Sequence, residues 1–154
     1  MQRSLRVAVV IAMLVCVLRG EAQKQERGYW QAASNTASSI TGDITLTEQK
    51  VTIGFKSFPI APIRELKPAE VAAVFDADAN AGAGGTLYRL KVPAEQRFQH
   101  KNTLCGTQDT QWMAVYPAGK SLLVAFFSGE EAPVFNFDAI SHSTTLCGAY
   151  TYVR

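Results

Sequence analysis

The sequence predicts a mainly all-β fold, a small antiparallel β-barrel or sandwich of about eight strands with one short helix. Three observations predict it. Apolar residues alternate with polar ones along most of the chain after residue 39, the period of a strand with one face buried. Clusters of Gly, Pro, Asn and Asp interrupt that alternation at short intervals, as turns do. Only one stretch, 68–75, has helical composition.

The chain begins with a segment that does not belong to this pattern. Arg3 and Arg6 precede an apolar run over 7–18, and Gly20 and Ala22 stand three and one residues before a cut after Ala22. A charged start, a short apolar run and a small-x-small site are the three parts of a signal peptide. About 20 apolar residues are needed to span a bilayer, so the run is short for a permanent anchor. Cys16 raises lipidation as an alternative, but Val15 before it is not a small residue. The expected organisation is a signal peptide over 1–22, a polar N-terminal segment over 23–38 and a single β-rich domain over 39–154. The expected location is periplasmic or secreted, with no membrane anchor after cleavage.

Cleavage changes the charge. The whole chain has 15 Lys+Arg against 13 Asp+Glu, and the leader holds three arginines and one glutamate, which leaves 12 of each sign. A neutral domain without a basic stripe has little to replace phosphate counterions, so no nucleic acid is expected as a partner.

Within 23–38, Tyr29 and Trp30 are expected at the edge of the core. Ile40, Ile44 and Leu46 straddle Gly42 and Asp43, which would bend the strand. Residues 47–50 read as a turn, after which Val51, Ile53 and Phe55 alternate with Thr52, Gly54 and Lys56. A further strand over 58–66 contains Pro59 and Pro62, which place it at a sheet edge. Residues 68–75 open with Pro and contain alanines, the best helix candidate. Alternation returns with Tyr88, Leu90 and Val92 on one face, and again with Trp112, Ala114 and Tyr116. Residues 121–128 are apolar almost throughout, as in a strand covered on both sides. A strand over 134–137 follows the turn at Gly129. In the last strand Leu146, Gly148, Tyr150 and Tyr152 share a face, opposite Cys147, Ala149, Thr151 and Val153.

Cys105 and Cys147 are the two cysteines left after cleavage, and they sit in matching heptads, H-x-x-T-L-C-G, that begin at His100 and His142. An even pair in an oxidising compartment reads first as a disulfide. A Cys2His2 metal site is the alternative. Residues five apart in an extended segment point to opposite faces, which sets His100 and Cys105 against a shared ion.

Candidate chemistry is sparse. Asp76, Asp78 and Asn80 match the first three oxygen positions of a calcium loop, but Leu87 stands where the bidentate Glu belongs. Asp138, Ser141, His142 and Ser143 have the residue types of a hydrolase triad without a nucleophile-elbow motif. Glu130 and Glu131 are a carboxylate pair of the type glycosidases use, but adjacent residues diverge. No catalytic constellation is identifiable and no cofactor is implied, so a non-enzymatic protein is expected.

The ensemble "SITGDITL", "LYRLKVP", "TQWMAVY", "LLVAFFSG" and "LCGAYTYV", with the leader, resembles small exported bacterial proteins of uncharacterised function. It covers most of 39–154. Through Ser128-Gly129 after a core strand, the chain is also similar to periplasmic lysozyme inhibitors, small disulfide-bearing β-barrels that use a Ser-Gly-containing loop. That resemblance implies a binding loop at Ser128, Gly129, Glu130 and Glu131, facing an envelope or extracellular protein. The expected function is a non-enzymatic binding or inhibitor module; a calcium- or small-ligand-binding barrel is the alternative.

Overall fold

Alternating side chains force a choice of face on every strand, and the strands here make that choice together by closing on themselves. The computed structural model describes residues 25–78 and 84–154. The signal peptide expected over 1–22 therefore lies outside the described residues, as does Asn80. Eight antiparallel strands run β1 Gly28–Ala32, β2 Ile44–Leu46, β3 Lys50–Ile53, β4 Lys56–Leu66, β5 Gly85–Val92, β6 Thr110–Ala118, β7 Ser121–Phe127 and β8 Leu146–Val153. Each pairs with its neighbours in sequence and β8 returns to β1, with Gln31 opposite Val153, so the sheet is a closed barrel. Closure removes the unpaired edges that an open sheet of this size would present.

The inward residues fill the barrel. Trp30, Ile44, Leu46, Val51, Ile53, Phe58, Ile60, Tyr88, Leu90, Met113, Val115, Val124, Phe126, Tyr150 and Tyr152 form one buried cluster. An eight-stranded barrel has an interior about wide enough for its own side chains. A second cluster lies outside the wall, where Leu87, Trp112, Ala114, Tyr116, Ala125 and Phe127 are covered by Val71, Val74 and Phe135. This outer layer explains the unbroken apolar run of β7: Leu122, Val124 and Phe126 pack inside, and Ala125 and Phe127 pack beneath the cover.

The cover is helical. Helix α1, Pro68–Phe75, has the expected limits, with Pro68 in its first turn. Glu70 accepts the Lys67 N–H at 2.7 Å, which satisfies one of the four amides a helix start leaves open. The same carboxylate holds Arg64 through two hydrogen bonds of 2.8 and 2.9 Å, tying the helix to β4. A five-residue helix α2, Phe137–Ser141, stands where a strand was expected to end. Asn136 starts it by accepting the Ala139 N–H at 2.8 Å, so local capping overrides the apolar spacing of 134–137.

Other departures have local causes. The segment 23–38 is not a separate polar leader to the barrel, because it supplies β1 and the fully buried Trp30. Pro59 and Pro62 do not put β4 at an open edge. Pro59 ends the ladder to β3, opposite Lys50, and Pro62 lies where β4 has β5 alone as neighbour, beside a register shift between Pro62 and Arg64. Residues 37–41 form a wide helical turn that Gly42 ends at φ 62°. Leu146 leaves the face of Tyr150 and Tyr152, because a register shift between Phe126 and Phe127 turns it to the outer cluster while Cys147 packs against the inner one.

The two ends differ. At one end Glu26 is fully buried; it accepts hydrogen bonds from Thr86 Oγ1 at 2.9 Å and Tyr88 OH at 2.6 Å. Its carbonyl accepts from Trp30 Nε1 at 2.8 Å, and the Arg154 guanidinium lies 4.2 Å over the Trp30 ring. The connections 33–43, 54–55, 93–109 and 128–145 gather at the opposite end.

Candidate functional site

That opposite end is a mouth, and the sequence builds it from turns. The β3–β4 hairpin needs left-handed backbone, which Gly54 supplies at φ 62°. Phe55 is thereby swung out of the alternation that was expected to bury it, and it is fully exposed, at 107% of its reference area. Lys56 follows and donates to Gln96 Oε1 at 3.0 Å.

Across from the hairpin, the loop 96–102 folds back on itself. Phe98 N donates to Asn102 O at 2.8 Å and Asn102 N donates to Gln99 O at 3.0 Å. His100 and Lys101 adopt positive φ of 53° and 62° in succession. For side chains other than glycine that conformation costs about 1–2 kcal/mol each. The Ser39 carbonyl helps to hold it, taking Asn102 Nδ2 at 3.0 Å and lying 3.2 Å from His100 Nδ1. Gly42 makes room for this docking, since a Cβ there would lie 2.7 Å from Gln99 Nε2.

Between the hairpin and the loop lies a groove of about 360 Å3, lined by Thr41, residues 53–56 and residues 96–100. Ile53 and Phe98 give it apolar walls, and Phe98 meets Phe58 of the core edge-on at 6.1 Å. Lys56 and Arg97 give it positive charge, His100 adds an imidazole, and no carboxylate lines it. Glu95 and Asp109 are the acidic residues of the 93–109 connection that supplies this loop.

The site residues expected from the sequence fall elsewhere. Cys105 and Cys147 form a disulfide with a Cα–Cα distance of 5.0 Å, which joins the mouth loop to β8 and removes the sulfurs from any Cys2His2 site. A bond of this kind is consistent with an oxidising compartment. A second cleft of about 330 Å3 runs beside it, lined by Leu104, Thr107, Ser128 and Thr144 among others.

Ser128, Gly129, Glu130 and Glu131 are together but pinned. Ser128 is buried and its N–H donates to Thr145 O at 2.8 Å. The Gly129 carbonyl accepts from Trp112 Nε1 at 3.1 Å, and the Glu130 carbonyl accepts from Arg89 at 3.2 Å. Glu130 and Glu131 are exposed, and Gly129 is half-buried. Asp76 is the left-handed cap of α1, and the Asp78 carbonyl lies 3.5 Å from Tyr116 OH. Among the described residues no group of three metal-ligating side chains converges.

The triad types do meet, but in the wrong arrangement. Asp138 Oδ1 and Ser141 Oγ both approach Nδ1 of His142, at 3.4 and 3.2 Å, whereas a relay needs the two on opposite ring nitrogens. Both Asp138 and His142 are exposed. Of the residues that line the groove, sequence reasoning singled out only His100 for its chemistry. The available signals were Gly54 ahead of an aromatic and a basic residue, and the basic run Arg97, His100, Lys101. Among the described residues no helix is long and apolar enough to cross a membrane. Comparison of the chain with protein-family models, curated proteins and solved structures finds no match.

Proposed function

We propose that this chain is a non-enzymatic binding module of an oxidising compartment outside the cytoplasm, and that it engages its partner with the mouth of the barrel. The observation that carries the reading is Phe55, a fully exposed aromatic at a hairpin tip, set beside a groove with apolar walls. An aromatic ring left in water costs the chain burial energy of about 1.5–3 kcal/mol, which a partner surface would return. The disulfide and the hydrogen bonds from Asn102 fix the loops around it, so little ordering entropy is lost on association. The barrel interior, filled by its own side chains, gives no support to a ligand held within the strands.

The test is capture from an envelope extract by the immobilised chain, run beside Phe55→Ser and beside a Glu130→Ala/Glu131→Ala variant. The reading expects a specific species that Phe55→Ser loses and the double variant keeps. Retention by Phe55→Ser with loss in the double variant moves recognition to the Ser128 loop and refutes a role for Phe55 and its groove.

A further inference from the structure

We infer that the mouth groove takes an acidic, extended segment of a partner protein. This rests on the reading of the mouth as the recognition surface and adds the chemistry of what it recognises.

Charge is the first argument. Lys56 and Arg97 line the groove, Lys101 is exposed next to it, and no lining residue is a carboxylate. In a chain whose net charge is only +2, this is a local concentration rather than a reflection of overall composition. Cations placed round a concave surface raise the local concentration of anionic groups and favour their encounter.

The backbone gives the second argument. His100 and Lys101 both hold left-handed conformations that glycine would adopt without strain. Hydrogen bonds within the loop and from Asn102 to Ser39 maintain them, and both residues are exposed. Strained backbone of this kind clusters at ligand clamps.

The lining gives the third. The amides of Gln96 and Gln99 stand among the cations, with Gln96 Oε1 already orienting Lys56 Nζ at 3.0 Å. Amide and cationic donors suit the carboxylates and carbonyls of an extended peptide, while Phe55 and Phe98 suit the apolar side chains between them. A planar anionic bilayer would meet the tip of Phe55 but leave the groove and its amides unfilled. The concavity therefore favours the peptide.

The experiment is a titration of the 15N-labelled chain with two synthetic ten-residue peptides. Both carry Leu and Tyr at alternate positions; one has Glu between them and the other Lys. Vesicles of phosphatidylglycerol are a third arm. The proposal expects the Glu peptide alone to shift the amides of 54–56 and 96–101. It expects binding to weaken at least tenfold in Lys56→Glu/Arg97→Glu, with the remaining spectrum unchanged, and to weaken when salt is raised. It is overturned by a Glu peptide that leaves those amides unmoved, or by equal binding to the double variant. It is likewise overturned by vesicle binding that depends on Phe55 without peptide binding. If the Glu peptide fails while an extract partner still depends on Phe55, the mouth remains the recognition surface and only its acidic specificity is lost.

Discussion

Glu26 makes stability depend on pH in a direction opposite to that of most carboxylates. Its side chain is fully buried at the closed end of the barrel, and burial pushes its pKa from 4.5 up to about 7. The hydrogen bonds from Tyr88 and Thr86 and the charge of Arg27 pull the other way without cancelling the effect. Between those two values the folded chain therefore binds more protons at this site than the unfolded chain does. The contribution is fully present below pH 4.5 and is lost as pH rises through 7. The rise from 4.5 to about 7, at about 1.36 kcal/mol for each pH unit, gives a loss of about 3 kcal/mol. Asp43 and Glu70, whose pKa values are lowered by Tyr29 and Arg64, oppose it only on the acid side, where their stabilisation falls away. Glu26→Gln keeps the shape and both hydroxyl neighbours but cannot ionise. Urea unfolding from pH 4.5 to 8.5, followed by fluorescence of the buried Trp30 and Trp112, measures the difference. Wild-type stability should fall across this range relative to the variant by about 3 kcal/mol. Tyr88→Phe, which removes a hydrogen bond that lowers the Glu26 pKa, should move the midpoint to higher pH. A Glu26→Gln protein with the wild-type slope would refute the reasoning.

Three further outcomes are expected. Tyr150 OH is buried with no hydrogen-bond partner, so Tyr150→Phe should gain about 1 kcal/mol in chemical denaturation; a loss would mean the hydroxyl is satisfied. Lys101→Gly relieves about 1–2 kcal/mol of left-handed strain and adds about 0.5–1 kcal/mol of unfolded-state entropy, for a small net gain in melting temperature. That gain should accompany weaker binding of the Glu peptide, and a stability loss would show that the conformation is not strained. Replacing both Cys105 and Cys147 by Ser opens a closure of 42 residues and should cost about 4 kcal/mol, read as a lower urea midpoint.

How much of this was legible in the sequence depends on the range of the interaction that decides each feature. Alternation and turn residues are local, and they sufficed for the all-β class, the limits of α1 and the doubly covered β7. The two cysteines were enough to pair Cys105 with Cys147. The strand over 134–137 was misread because Asn136 can start a helix in three residues, and a single capping hydrogen bond outweighs a short apolar pattern. Trp30 was expected only at the edge of the core and Glu26 lay in a segment read as polar, because the interactions that bury them come from Thr86, Tyr88 and Arg154, at least 60 residues away.

The mouth was hidden for the opposite reason. Phe55 continues the alternation of Val51 and Ile53, so periodicity alone assigns it to the core. What removes it is the tight turn at Gly54, through which Ile53 pairs directly with Lys56. An apolar residue inside such a turn has no sheet face to occupy, whatever its hydrophobicity. His100 and Lys101 are similar: nothing in a basic dipeptide announces left-handed backbone, which here depends on docking against Ser39 from another loop. The features that mark this end of the barrel are thus those in which tertiary structure overrides local preference. Such conflicts raise the energy of the folded chain, and on the proposed reading of the mouth a bound partner would offset them.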